Sequence, residues 1–214
     1  MKLIYKNGIK RIIDFLLSLM FFIAISPLFG VLCIMVAIKL GNPIFFKQKR
    51  TTKDGKEFEI IKFRSMTEDK DELGNYLPNE MRMTKFGKFL RTSSLDELPE
   101  LLNIIKGDMA IIGPRPLPPV YNSFFYNDEM KRFDVRGGLI PPDSVDENSI
   151  ISWDKQFEYE REYADKVSFT YDIYILISVF KILFNRKKSD YGSYCRQPLN
   201  VERSEMRRDE KNDK

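Results

Sequence analysis

The chain has 214 residues, with 35 Lys and Arg against 31 Asp and Glu, no histidine and two cysteines. That length suits one compact domain with appendages. The net charge of +4 is too mild to point to nucleic acid, and the lack of histidine excludes imidazole general-base catalysis and most zinc sites.

Residues 15–38 carry no charge. As a helix this stretch is long enough to cross a bilayer. It is too long for a cleaved signal peptide, and no small-residue cleavage site follows it. Ser26-Pro27 stands at its middle, where proline removes a backbone donor and bends a helix. Basic residues lie on both sides: Lys2, Lys6, Lys10 and Arg11 before, Lys39, Lys47, Lys49 and Arg50 after. Basic flanks stay on the cytoplasmic side, so two of them are best satisfied by a segment that dips into the membrane and returns. A broken, re-entrant helix hairpin is expected over residues 1–42, with a kinked single span as the alternative. Cys33 lies within this stretch and Cys195 near the C-terminus, which suggests no stabilising disulfide and fits a reducing compartment.

Residues 44–48 and 58–64 read as two strands joined by a turn at Asp54-Gly55. Period-2 alternation puts Lys62 and Arg64 on one face, where they could grip a diphosphate. The plainer reading is a solvated edge strand. Residues 69–80 read as a surface loop punctuated by Gly74 and Pro78. A short helix over 84–90 ends at Arg91 and carries that cation toward the acidic pair that follows.

The densest chemistry runs from Arg91 to Pro116. Leu98, Leu101, Leu102 and Ile105 fall at i, i+3, i+4 and i+7 of one helix, which Gly107 stops. Asp96 as N-cap leaves Pro99 within the first turn. A carboxylate at such a terminus is held ionised by backbone N–H groups and the helix dipole. It can then attack phosphorus or carry a divalent metal. Farther on, Gly113-Pro114-Arg115-Pro116 holds one arginine between two prolines, which suits bidentate phosphate contact. Pairing of Arg115 with Asp108 or Asp96 is the structural alternative.

Residues 122–132 and 157–164, mixed aromatic and charged, are expected to be helical. Residues 171–184 are strongly apolar but too short to span a bilayer, so they pack in the core or lie in the lipid interface, ahead of Arg186-Lys187-Lys188. Residues 202–214 are nearly all charged and are expected to be disordered.

Three motifs in order, Lys62-Phe63-Arg64-Ser65-Met66, Ser94-Leu95-Asp96-Glu97-Leu98-Pro99-Glu100-Leu101 and Gly107-Asp108-Met109-Ala110-Ile111-Ile112-Gly113-Pro114-Arg115-Pro116-Leu117, resemble the bacterial sugar transferase family. These are the polyprenyl-phosphate sugar-1-phosphate transferases, and the chain resembles their small monotopic phosphoglycosyl transferase form. Ser26-Pro27, Ile151-Ser152-Trp153 and Phe157-Glu158 extend the resemblance. It implies a helix-rich, membrane-associated α+β fold with a small β-hairpin or sheet. The expected parts are the hairpin of residues 1–42, a catalytic domain with interfacial helices at 43–188, and a charged tail at 189–214. It also implies a UDP-sugar donor, a polyprenyl phosphate acceptor, usually undecaprenyl phosphate, and work at the cytoplasmic face of the bacterial inner membrane. Membrane lipid and downstream glycosyltransferases would be its partners. By motif position Asp96 would be the nucleophile, forming a phosphosugar-aspartyl intermediate and releasing UMP. Glu97 would orient Asp96 and support magnesium, which Asp96 would carry. Lys62, Arg91 and Arg115 would neutralise phosphate, with Arg64 added as a phosphate-binding candidate from its place beside Lys62 on the strand, and Ser26 and Pro27 would break the membrane helix.

The resemblance weakens after Val135-Arg136. The family continues Pro-Gly-Ile-Thr-Gly and then Gln-Val-x-Gly-Arg, whereas residues 137–148 here end in Asp146-Glu147-Asn148. Acidic groups replace a basic end, so no donor-binding residue is assigned in this loop. A non-catalytic membrane scaffold is the first alternative, and an aspartate hydrolase that uses water in place of lipid phosphate is the second.

Overall fold

A computed structural model describes residues 2–146, 151–185 and 196–212 of the chain. Among the described residues helix predominates, with two small two-stranded sheets, as expected of an α+β protein. Its contacts group into two compact units: Met1–Asp14, Lys49–Phe58 and Asp108–Lys214 form the first, and Phe15–Gln48 and Glu59–Gly107 the second.

Helix α1 covers Lys10–Leu40, 31 residues, after a π-helical turn at Tyr5–Ile9. Its length and composition are enough to cross a membrane. Its helical backbone continues through Ser26 and Pro27, so no loop separates the two arms expected around the proline. The hydrogen bonding gives the reason. Proline 27 cannot donate to the carbonyl four residues back, and the Ser26 hydroxyl donates to that carbonyl, Ile23 O, at 2.8 Å.

In the first unit a buried polar network surrounds the start of α1. The Tyr5 hydroxyl and Lys10 Nζ donate to Asp172 Oδ2 at 2.6 and 2.8 Å. The Tyr163 hydroxyl lies 2.7 Å from Asp172 Oδ1, and Asp14 accepts from the Ile111 N–H at 3.3 Å. Each buried charge therefore has an opposite or donating neighbour, the condition for tolerating charge in a core. Ile112, Val135, Ala164, Val167 and Ile175 close the apolar core around it.

Strand β1 (Phe45–Thr51) pairs with β2 (Glu57–Phe63) across the turn, where Asp54 and Gly55 both have positive φ. Helix α2 is Lys85–Thr92, with Thr84 accepting from the Gly87 N–H at 3.0 Å as its N-cap. A Cβ on Gly87 would collide with the Ser65 carbonyl oxygen, so glycine is what lets α2 lie against this backbone. Helix α3 is Glu100–Lys106, closed by Gly107 at φ 104°. In the second unit Leu32, Val36 and Leu40 of α1 pack with Phe63 and Leu90, and the Phe29 and Phe63 rings lie 5.0 Å apart.

Strand β3 (Ala110–Ile112) runs parallel to β4 (Gly138–Ile140), with Ala110 opposite Gly138 and Ile112 opposite Ile140. A Cβ on Gly138 would strike the Gly113 backbone, so the two strands meet through glycine. Residues 122–132 are not one helix. Two 3₁₀ segments, Pro119–Phe124 and Glu129–Asp134, flank an extended Phe125, and Glu129 Oε2 accepts from the Tyr126 N–H at 2.8 Å. The Phe125 ring packs edge-on against Phe157, which holds the break open.

Helix α4 is Trp153–Lys166, capped by Ser152, and takes in the expected 157–164 segment. Helix α5 is Phe169–Asn185. It buries Asp172 and Ile175 and exposes Phe169, Tyr174, Ile177 and Phe180, so one face is core and the other is open apolar surface. Arg186-Lys187-Lys188, Glu147-Asn148 and Cys195 lie outside the described residues. Helix α6, Leu199–Asn212, forms where the charge density suggested disorder. Leu199 is fully buried, and the Arg203 guanidinium is paired with Glu129 at 2.6 Å, which anchors a helix that propensity alone would not hold.

Candidate active site

The acidic pair belongs to the second unit. Asp96 sits in a 3₁₀ turn, Leu95–Glu97, and the helix N-cap position falls to Pro99, not Asp96. Ser94, immediately before it, is left-handed at φ 56°. Turn and helix are therefore separate, and the Asp96 carboxylate is placed by the turn. It is also buried. Burial first, and then the Glu97 carboxylate, push its pKa up, while Lys62 and Arg91 pull it down. The shift runs opposite to the lowering that an N-cap position would give.

Lys62 leaves β2 and reaches two carboxylates, Glu97 Oε1 at 2.7 Å and Glu100 Oε1 at 3.0 Å. Burial opposes its charge, but Glu100 and Glu97 outweigh that, and the ammonium titrates above its usual range. Arg91, at the end of α2, donates from Nε to Ser65 Oγ at 2.9 Å, and its side chain is exposed. Two cations and three carboxylates thus occupy one neighbourhood of the second unit.

Asn103 fixes α3 to the strand that carries Lys62. Its amide oxygen accepts from the Ile61 N–H at 3.0 Å, and its nitrogen donates to the Glu59 carbonyl at 2.8 Å. The buried face of α3 is Glu100, Leu101, Asn103 and Ile104, which shares only Leu101 with the Leu98–Leu101–Leu102–Ile105 stripe. Glu100 and Asn103 are the residues that sequence reasoning missed. A third acid three positions after Glu97 was visible, but nothing local marks an asparagine as a strand clamp.

Arg64 does not join Lys62. Its guanidinium donates to the carbonyls of Asn42, at 3.0 Å, and Leu40, and so caps the C-terminal end of α1. A phosphate grip by both residues is therefore not what their contacts form.

Arg115 lies in the first unit, with an exposed side chain. Its backbone is held on both sides. The N–H donates to Glu160 Oε1 at 3.2 Å, and the carbonyl accepts from Arg132 Nη2 at 2.6 Å. Arg132 and Glu160 form a buried pair at 3.3 Å, with the guanidinium over the Phe125 and Phe157 rings. From the altered loop, Asp143 is raised by burial and drawn down by Arg115.

Among the described residues, no group of three or more His, Cys, Asp or Glu forms a metal cage. Asp96 with its acidic neighbours supplies hard oxygen donors, two of which Lys62 already engages. That set fits a magnesium ion that keeps waters and shares substrate phosphate, and not a fully protein-ligated cation.

The bacterial sugar transferase family model matches residues 5–186. The uncharacterized sugar transferase EpsL of Bacillus subtilis (strain 168) is 39% identical over 82% of this chain and 87% of its own length. The exopolysaccharide production protein ExoY of Sinorhizobium fredii (strain NBRC 101917 / NGR234) is 32% identical over 81% of this chain and 83% of its own. The UDP-glucose:undecaprenyl-phosphate glucose-1-phosphate transferase of Klebsiella pneumoniae is 34% identical over 84% of this chain, which spans only 42% of that relative. A match over most of the chain, carried through the Asp96 turn and the Arg115 segment, places this protein in the bacterial sugar transferase family.

Proposed function

We propose that this protein transfers a sugar-1-phosphate from a UDP-sugar to undecaprenyl phosphate at the cytoplasmic face of the bacterial inner membrane. The observation that carries this reading is the buried Asp96 carboxylate beside Glu97, with Lys62 and Arg91 as its cations, in a chain of this family. An Asp96 oxygen attacks the sugar-bearing phosphorus of the donor. The bond from that phosphorus to the bridging oxygen breaks, and UMP leaves with the electron pair. An oxygen of the lipid phosphate then attacks the same phosphorus. The acyl-phosphate bond breaks, Asp96 regains its carboxylate, and a polyprenyl-diphosphate sugar is formed for downstream glycosyltransferases. Phosphoryl transfer depends on positioning and charge neutralisation. Arg91 offers an exposed guanidinium for the phosphates, and Lys62 restrains Glu97 and Glu100 so that they do not repel the donor. Arg115 is taken as a phosphate-binding residue from its place in the family motif. Magnesium, when bound, supplies further charge neutralisation on the diphosphate, with Asp96 as its protein ligand.

Membrane association by α1 belongs to the same reading. Both of its flanks are basic, which favours entry and return on one side, as a re-entrant segment. Cysteine probes at Lys2 and Lys49 substitutions are expected to label from the same side, and labelling from opposite sides refutes this topology.

The catalytic test is UMP release from a panel of UDP-sugars with undecaprenyl phosphate and magnesium, for wild type beside Asp96→Asn. Acceptor-dependent release that is lost in Asp96→Asn supports the mechanism. Undiminished release from Asp96→Asn removes Asp96 as nucleophile.

A further inference from the structure

Helix α6 lies beyond residue 186, where the match to the family ends. Even so, its segment is tied into the interior of the first unit. The Arg196 guanidinium lies 3.4 Å from the centre of the Trp153 ring, and donates to the Ile151 carbonyl at 2.8 Å and to Gln156 Oε1 at 2.7 Å. The Trp153 indole N–H donates to the Gln197 carbonyl at 3.0 Å. Arg203 makes a two-pronged contact with Glu129, at 2.7 and 2.6 Å, and covers the Tyr126 ring.

Gln156 continues the chain of bonds inward. Its amide nitrogen donates to Glu160 Oε1 at 2.9 Å, the same oxygen that accepts the Arg115 N–H. Glu160 pairs with Arg132, which holds the Arg115 carbonyl. Four residues, Arg196, Gln156, Glu160 and Arg132, therefore connect the C-terminal segment to both sides of one exposed arginine. Gln156, Glu160 and Arg132 are all buried, and a buried connected network of this kind holds its members in one arrangement.

We propose that the C-terminal segment is a clamp for Arg115, with Arg196 and Gln156 as positioning residues that act through Glu160 and Arg132 on the backbone of the Pro-Arg-Pro segment. This rests on the reading that Arg115 binds donor phosphate. Arg196 touches no reacting atom. Its effect is to keep the Arg115 backbone, and hence the root of the guanidinium, in one place while substrate binds.

Two measurements test this on the full chain in nanodiscs. The first is amide hydrogen exchange, which needs no knowledge of the donor. Arg196→Ala is expected to speed exchange in the peptide containing residues 113–116 and to leave the α3 peptide at its wild-type rate. Wild-type exchange at 113–116 overturns the clamp, and so does equal acceleration in both peptides, which is general loosening. Where Arg196→Ala does not fold, Gln156→Leu cuts the relay, leaves the Arg196–Trp153 stack in place and carries the same expectations. The second measurement is a double-mutant cycle on kcat/KM for whichever of UDP-glucose, UDP-galactose and UDP-N-acetylgalactosamine the wild type turns over. Arg196→Ala is expected to lower kcat/KM roughly tenfold through KM, and to add nothing once Arg115→Ala is present. Losses that multiply in the double variant overturn the clamp while leaving Arg115 in its role. Full activity of Arg115→Ala alone overturns the phosphate-binding reading, and exchange at 113–116 still reports on the physical clamp.

Discussion

Lys62 Nζ lies 2.7 Å from Glu97 Oε1, and the same ammonium lies 3.0 Å from Glu100, so a single cation compensates two carboxylates beside Asp96. Glu100 is 3% exposed, and a buried charge that loses its partner is costly. Lys62→Met is expected to destabilise the protein by about 3 kcal/mol in urea denaturation. Adding Glu100→Gln removes the stranded charge and is expected to recover part of that loss. A double variant no more stable than Lys62→Met alone counts against this pairing.

The raised pKa of Asp96 has a definite sign for stability. Its folded pKa lies above its unfolded value, so the folded state binds more protons between the two, and stability falls as pH rises through that window. Above it a constant penalty remains. In metal-free buffer with EDTA, Asp96→Asn is expected to be more stable than wild type at pH 7. The gap should close as pH falls toward the usual carboxylate value, where Asp96 is protonated in both states. A variant less stable than wild type at pH 7 contradicts the burial argument.

Asn103 is 1% exposed and satisfies one donor and one acceptor of β2. Asn103→Leu keeps the volume and strands both backbone groups, at a cost of about 2 kcal/mol. The loss should appear in thermal melts and as faster exchange of the Ile61 amide. Unchanged protection at Ile61 would show that the amide clamp is not what holds α3 to the strand.

The Ser26–Ile23 bond predicts a specific pattern of non-additivity. Ser26→Ala removes the donor that stands in for the missing Pro27 N–H, with an expected cost of about 1 kcal/mol for the protein in nanodiscs. In a Pro27→Ala background the backbone N–H is restored, and Ser26→Ala should then cost little. Equal costs in the two backgrounds would mean that the hydroxyl serves another purpose.

Gly87→Ala places a methyl against the Ser65 carbonyl, a backbone atom that cannot swing aside. Overpacking of this kind costs about 2 kcal/mol, and here it also shifts the Ser65 hydroxyl that receives Arg91. Reduced transferase activity should accompany the lower melting temperature. An unchanged melting temperature would show that α2 has room to move.

The sequence by itself determined what depends on local spacing and chain chemistry. The uncharged run of α1, the Asp54-Gly55 turn, Thr84 and α2, and the Gly107 stop all follow from neighbours in the chain, since caps and turns are set within a few residues. The motif order around Asp96 and Arg115 was likewise enough to reach the family. Tertiary structure decided the partners. The sequence put Arg64 beside Lys62 because strand alternation is local, but the free carbonyls ending α1 took its guanidinium. Asp96 looked like an N-cap because it precedes an apolar stripe, but the chain makes a 3₁₀ turn at Leu95–Glu97 after the left-handed Ser94, and the N-cap of α3 falls to Pro99. The charged C-terminal stretch looked disordered because its own composition buries little. It folds because Leu199 and Arg203 find an aromatic cluster and Glu129, more than seventy residues away for Arg203. Burial and ion pairing depend on what another part of the chain brings close, and no local pattern contains that information.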